Sequence, residues 1–319
     1  MKTLNFETIS IELTKYCNLS CAYCYACATN NPNAQIIDIN KLCSFFSVFK
    51  ENGGRRILLT GGEICLVKEL KAVITFAKEC GLLVDLFSNG TLIDDDKASF
   101  ISKNVNLINI SLDGPEEHHD LYRGVPGSYK KTLQALEYLR AYGAHVALQC
   151  MVTPYNFDQI GWLHSISDIC NPIIIKLGHV SNMGRGTNKT ELIINDYEKL
   201  KETARIFMES YNHFHTRIVT NIINLDELKV FYPNFNMMVT PWLLPDGRIL
   251  SCYVNNHQDF WTLSTLESYP FTSDESFEKR KKLIVKSYEK ASTMESFDVL
   301  QLLSDTAEEI ANDNELISI

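Results

Sequence analysis

The stretch Lys15–Ala26, KYCNLSCAYCYA, gathers Cys17, Cys21 and Cys24 within eight residues, separated by three residues and then by two. Thiolates bind soft or borderline metals, and three of them in a short loop wrap only a compact site. A structural zinc ion wants four closed ligands, and Cys27 is a candidate fourth. An iron–sulfur cube also wants four ligands, one per iron. If three cysteines hold such a cube, one iron keeps an open position where a substrate or cosubstrate can bind and react. Spacing alone leaves both metals open.

A loop of this kind needs a scaffold, and the alternation of the chain supplies one. Apolar, β-rich runs lie at Thr8–Leu13, Arg56–Thr60, Leu82–Phe87, Leu107–Leu112, His145–Val152 and Ile173–Leu177. Helical patterns fall between them at Asn40–Glu51, Val67–Cys80, Asp94–Ser102, Ser128–Tyr142 and Asp158–Ile169. In the fourth, Tyr129, Leu133, Leu136 and Leu139 recur at helical spacing, and Gly143 is a stop. Six strands alternating with five helices predict right-handed βαβ units and a parallel α/β sheet, open or curled into a full or partial barrel. In each case chemistry sits at the carboxyl ends of the strands. The cysteine trio follows the first strand at that end, Gly61-Gly62-Glu63 follows the second, Ser88-Asn89-Gly90 the third, and Ser111-Leu112-Asp113-Gly114 closes the fourth. Along that fourth strand Asn109, Ser111 and Asp113 alternate onto one face, and Ile108, Ile110 and Leu112 take the other.

Beyond residue 180 the pattern loosens. A helix is expected over Asn195–Tyr211, and a turn at Pro245-Asp246-Gly247 joins two short strands. From Thr272 onward the chain is charged and helical in pattern. The division expected is a barrel core over 1–190 and a small α+β extension over 191–319.

Composition bounds the function. The 319 residues are 45% hydrophobic, enough for a large core, and 30 basic against 39 acidic residues leave a formal charge of −9. No basic stripe exists; Lys279–Lys282, KRKK, is short, flanked by acids, and reads as a solvated helix face, so nucleic acid is not an expected partner. No run of eighteen apolar residues spans a membrane, and MKTLNFETISIEL carries no signal peptide, so a cytoplasmic location is expected. Cys43, Cys80 and Cys170 are scattered in helical or strand-end patterns and read as buried small hydrophobes. The dense trio reads as a metal site.

With these residues in view, C17-N-L-S-C21-A-Y-C24 resembles the C-x3-C-x2-C signature of radical S-adenosylmethionine (SAM) enzymes, with aromatic Tyr23 before the last cysteine. The resemblance implies a partial (β/α)6 TIM-like barrel and one [4Fe–4S] cluster on Cys17, Cys21 and Cys24. Its open iron would chelate SAM, whose reductive cleavage gives a 5′-deoxyadenosyl radical that abstracts hydrogen from a substrate carbon. Gly61, Gly62 and Glu63 resemble the family's GGE motif, in which backbone and carboxylate receive the SAM amino group. Ser88 and Asn89 are similar to its strand-end residues near the ribose. Ser111 and Asp113 would face SAM from the fourth strand, Arg123 would take the SAM carboxylate through its planar donor fork, and Tyr23 would neighbour the adenine.

The run Ile110–Leu139, ISLDGPEEHHDLYRGVPGSYKKTLQALEYL, resembles the branch that modifies peptides and proteins and carries SPASM or twitch C-terminal extensions. GHVSNMGRG (Gly178–Gly186) resembles that branch's glycine–arginine turn, and LLPDGRILSC (Leu243–Cys252) the start of its extension, so the likeness covers residues 7 to 255. Here the chain departs from the pattern. Cys252 stands alone, with no cysteine between Cys170 and Gly247 and none after it, and one thiol cannot hold a cube of irons. A degenerate extension with no auxiliary cluster is therefore expected. Cys252 and Cys65 are candidate hydrogen-atom donors to a substrate radical, and Gln149 and Lys176 are candidates to orient a substrate.

The leading expectation is a radical SAM enzyme acting on a peptide or protein, by crosslinking or epimerisation. Sixteen residues precede Cys17, too few for a leader-binding module, so a leader would bind the segment Ser273–Asn314 or arrive through a separate leader-binding protein. The reductant expected is a protein such as flavodoxin or ferredoxin. The alternatives are the same chemistry on a small metabolite, and a non-catalytic iron–sulfur or zinc protein.

Overall fold

Strand alternation decides the architecture. Ile9 and Ile11 of β1 (Thr8–Glu12), Ile57 and Leu59 of β2 (Arg56–Thr60), Val84 and Leu86 of β3 (Leu83–Ser88), and Ile108 and Ile110 of β4 (Leu107–Ser111) are all buried. They continue with Leu148 and Cys150 of β5 (Val146–Val152) and Ile175 and Leu177 of β6 (Ile174–His179). These residues form one face of the sheet, and the apolar stripes of the helices cover it. The computed structural model describes residues 6–194, 196–211, 216–220, 222–223, 240–250, 262–269, 274–294 and 297–317.

Six parallel strands follow in chain order, joined by α1 (Ile39–Glu51), α2 (Leu70–Glu79), α3 (Asp95–Asn104), α4 (Glu116–Arg123), α5 (Ser128–Ala141) and α6 (Leu163–Cys170). This is the expected α/β partial barrel. Helix α1 turns Leu42, Phe45, Phe46 and Phe49 inward, and Asp38 caps it by accepting from the Lys41 N–H at 3.0 Å. Asp94 caps α3 in the same way, from the Lys97 N–H at 2.8 Å. Helix α4 falls on EEHHDLYR, where no apolar periodicity announces it. Gly124 ends it at φ +74°, a left-handed stop.

The later residues extend both edges of the same sheet. After α7 (Tyr197–Ser210), β7 (Arg217–Thr220) pairs parallel with β6. At the other edge β9 (Trp242–Leu243) lies parallel to β1 and antiparallel to β10 (Arg248–Leu250), across the expected Pro245-Asp246-Gly247 turn with Gly247 at φ +87°. Strand β11 (Thr262–Thr265) pairs antiparallel with β10. The short strands β8 (Ile222–Ile223) and β12 (Phe297–Asp298) form a separate antiparallel pair. Helices α8 (Asp274–Ala291) and α9 (Val299–Ile317) are tied by Lys286–Glu309 at 2.6 Å, and α9 meets the segment after β6 at the surface, where Gln301 Oε1 accepts from the Asn182 N–H at 2.8 Å. Among the described residues no helix is long and apolar enough to cross a membrane.

Candidate active site

The cysteine loop leaves the carboxyl end of β1 and closes on itself. Cys17 N–H donates to Thr29 O at 2.8 Å and Thr29 N–H to Lys15 O at 2.9 Å, while bridges pair Thr14 with Ile36 and Tyr16 with Thr29. Cys24 N–H donates to Cys21 O and Cys27 N–H to Cys24 O, each at 3.3 Å, so the cysteines ride on two successive turns. Cys17 and Cys21 are buried with Leu19 and Ala28, and Cys24 and Val125 pack against them. Cys27 stands apart, exposed, at φ +49°. Burial pushes the Cys17 thiol up to about 12 and Cys21 upward as well, and a bound cation would favour the thiolates that burial disfavours. Two donors already face the sulfurs. Arg123 Nη1 lies 3.7 Å from Cys21 Sγ, and Asn89 Nδ2 lies 4.0 Å from Cys17 Sγ. Buried thiols on one compact loop, with polar donors behind them, fit an iron–sulfur cluster.

Three neighbours fix the loop. From β2, Gly62 N–H donates to Thr14 O at 2.7 Å and Glu63 N–H to Tyr16 O at 2.8 Å. A Cβ on Gly62 would stand 2.1 Å from Tyr16 O, and Gly61 adopts φ +134°, so the two glycines are required for contact with the cysteine loop itself. From α4, Tyr122 O and Arg123 O accept from Ala22 N–H at 2.8 Å and Ser20 N–H at 3.1 Å. From the turn after β6, Arg185 Nε donates to Cys21 O at 2.7 Å, its Nη1 to Ala28 O at 2.6 Å, and its backbone N–H to Cys24 O at 3.0 Å.

Asp113 organises the rim beyond β4. Its side chain is fully buried, and Oδ2 accepts from Tyr23 Oη and from Arg123 Nε at 2.5 Å. Oδ1 accepts from Met151 N–H at 2.9 Å, tying β4 to β5. Burial alone would raise this carboxyl, but the Arg123 guanidinium beside it holds it below the usual range. Burial, with Arg123 nearby, drives His119 down to about 4, so its imidazole is neutral and its Nδ1 accepts the Asp113 N–H at 3.2 Å. Asn156, unremarked in the sequence, joins this group: its Nδ2 donates to Asp113 O at 2.5 Å and to Met151 O at 2.9 Å.

Glu63 is buried between β2 and β3, and burial raises its pKa. Oε1 accepts from Cys65 N–H at 3.0 Å and Ser88 Oγ at 2.8 Å, and Oε2 from Asn89 N–H at 2.8 Å. Three of a carboxylate's roughly four acceptor positions are thus taken within the protein. Asn89 Nδ2 also donates to Asn18 Oδ1 at 3.0 Å, which joins the third strand end to the cysteine loop.

The structure thus brings Tyr23, Asp113 and Arg123 together in one group around Cys21, and Gly61, Gly62, Glu63, Ser88 and Asn89 in another around Cys17. Cys65 is beside the second, its Sγ 4.0 Å from Ser88 Oγ. Ser111 joins neither; it lies lower, on the barrel interior. Cys252 lies outside the described residues. Sequence reasoning passed over Glu12, which ends β1 fully buried and binds Lys15 Nζ at 2.5 Å. The period-two alternation Ser10, Glu12, Thr14 held the signal that it faces inward.

The Radical SAM superfamily model matches residues 11–163. The AdoMet-dependent heme synthase of Oleidesulfovibrio alaskensis is 27% identical over 245 residues, covering 72% of this chain and 62% of that protein. Sporulation killing factor maturation protein SkfB of Bacillus subtilis is 27% identical over 255 residues, covering 76% of this chain and 62% of that protein. The chain therefore spans 62% of the length of each of these relatives. In fold it is similar to Streptococcus suis SuiB bound to S-adenosylmethionine, with TM-score 0.69 at 16% identity over 87% of this chain and 68% of that one. The part of the chain similar to the radical SAM superfamily, residues 11–163, holds the cysteine loop, the GGE turn, Asp113 and Arg123.

Proposed function

We propose that this protein is a radical SAM enzyme that holds one [4Fe–4S] cluster on Cys17, Cys21 and Cys24 and acts on a peptide or protein substrate. The observation that carries the reading is the cysteine trio, Cys17 and Cys21 buried and Cys24 half-buried, on a loop braced from β2, α4 and the turn after β6, with Arg123 behind the Cys21 sulfur and Asn89 behind that of Cys17. When bound, the cluster and SAM supply one-electron cleavage of a sulfonium and a carbon radical able to take hydrogen from an unactivated C–H bond.

The chain's own residues position and insulate that chemistry. Gly61, Gly62, Glu63, Ser88 and Asn89 form the cofactor-binding wall on the Cys17 side, and Tyr23, Asp113 and Arg123 the wall on the Cys21 side. Asp113 locks Arg123 and Tyr23 in place, and neutral His119 adds no charge to the rim. Residues 1–190 act as the catalytic barrel and 191–319 as an extension without an auxiliary cluster. A flavodoxin- or ferredoxin-type protein supplies electrons, and a leader peptide, if the substrate has one, is presented by a separate protein or by the C-terminal helices. Cys65 and Cys252 remain the candidate hydrogen donors.

The similarity to SkfB supports a peptide substrate, and the equal similarity to a heme synthase supports a second reading, the same chemistry on a small metabolite. Anaerobic reconstitution, reduction and addition of SAM should yield 5′-deoxyadenosine; none would contradict the enzyme reading. Product mass separates the substrates. A peptide that loses two hydrogens, or gains solvent deuterium with no other change, identifies crosslinking or epimerisation. Turnover of a metabolite alone overturns the peptide assignment.

A further inference from the structure

The barrel interior holds a row of polar side chains that the rim network leaves unused. Ser111 on β4, Gln149 on β5 and Lys176 on β6 are register partners, Ser111 opposite Gln149 and Gln149 opposite Lys176. Register partners on neighbouring parallel strands face the same way, about 4.8 Å apart, so the three form one line across the sheet. Its face is that of Asn109, the face opposite the apolar helix-covered one, and all three residues are half-buried. The row lies two residues below Asp113 and Met151 on the same strands, about 7 Å down from the rim.

The charge of the row is unbalanced. Lys176 Nζ has one hydrogen-bond partner among the described residues, the neutral amide Oδ1 of Asn109 at 2.7 Å, and lies 5.3 Å over the Phe87 ring. The carboxylate facing it, Asp85, is committed to Arg56 by two contacts of 2.6 and 2.7 Å. Lys176 thus has no carboxylate hydrogen-bonded to it among the described residues. Ser111 and Gln149 make no side-chain hydrogen bond among the described residues. A half-buried ammonium satisfied by one amide, beside a free amide and a free hydroxyl, is an incomplete set of donors.

We infer that the row Ser111–Gln149–Lys176 is the substrate anchor of the barrel and that it takes a carboxylate, with Lys176 as the charge partner and Gln149 and Ser111 as hydrogen-bonding neighbours. The inference rests on the radical SAM reading only for the role of the lumen as the substrate's place; the acid preference stands on the row itself. The carboxylate belongs either to an acidic residue or chain end of a peptide or to a small organic acid, and the same chemistry serves both.

The test uses the full, anaerobically reconstituted protein and matched probes: acetyl-Ala-Glu-Ala-amide against acetyl-Ala-Gln-Ala-amide, and glutarate against glutaramide, titrated by ligand-observed NMR. The expected result is at least about tenfold tighter binding of an acid than of its amide twin, a difference typical of a partly desolvated charge pair. A preference in the peptide pair alone assigns the peptide source, and one in the glutarate pair alone the small acid. Lys176→Gln should abolish the preference and Lys176→Arg should keep it. Gln149→Glu, which gives Lys176 an internal carboxylate and so guards against loss through misfolding, should also abolish it at unchanged iron content and thermal midpoint. Equal binding of acids and amides, no binding of either pair, or a preference that survives in Lys176→Gln and Gln149→Glu overturns the inference. Iron content and SAM binding, measured on the same samples, report separately on the radical SAM reading.

Discussion

The rim and the lumen row are made from the same strands and differ in how completely they are bonded. At the rim, Asp113 accepts from Tyr23, Arg123 and Met151, and Glu63 accepts from Cys65, Ser88 and Asn89. One register step lower, Ser111 and Gln149 make no side-chain bond among the described residues, and Lys176 makes one. Polar groups bonded to one another hold the protein in shape, because an unpaired buried partner is costly. Those left open in a half-buried place have capacity for something else. The contrast separates residues that build the site from residues that face a guest.

Breaking the rim should have the larger effects. Cys24→Ala should remove iron and its visible absorbance after reconstitution, measured by iron assay; retention of full iron would mean that another cysteine completes the site. Asp113→Ala leaves the Arg123 guanidinium buried without its anion and should cost about 3–5 kcal/mol in chemical denaturation. A loss below about 1 kcal/mol would show that the pair contributes little to the rim. Gly62→Ala forces a methyl onto the Tyr16 carbonyl, a local strain of about 1–3 kcal/mol. It should speed iron loss to a chelator severalfold, and an unchanged rate would detach the GGE turn from the cysteine loop. The lumen row should respond least. Lys176→Gln removes the charge but keeps an amide N–H donor for the buried Oδ1 of Asn109, so stability should stay within about 1 kcal/mol of the parent. A loss as large as that of Asp113→Ala would make Lys176 structural and erase the distinction.

Much of this was legible in the sequence. The six strands and the face shared by Asn109, Ser111 and Asp113 follow from period-two alternation, which is local. The trio's spacing and the strand-end positions of Glu63, Ser88 and Asp113 follow from the order of elements. Helix α4 was missed because EEHHDLYR buries only His119 and Arg123, leaving no apolar stripe. Strand β7 is four residues long, and the pairing of β9 with β1 joins segments more than two hundred residues apart, which no local pattern reports. Side-chain partnership was equally hidden. The carboxylate of Glu63 reads as a free ligand in sequence and is found engaged with three donors, and Asn156 had no motif to mark it. The alignment of Ser111, Gln149 and Lys176 in one row is likewise a property of three strands in register.

The central claim is that three cysteines, and no fourth protein ligand, hold a cluster whose open iron meets SAM. Electron paramagnetic resonance of the anaerobically reconstituted, dithionite-reduced protein, recorded with and without SAM alongside metal analysis, tests it most directly. The account predicts about four irons per chain and a signal that changes shape on addition of SAM. A stoichiometric zinc content, or a reduced cluster whose spectrum is indifferent to SAM, would contradict it.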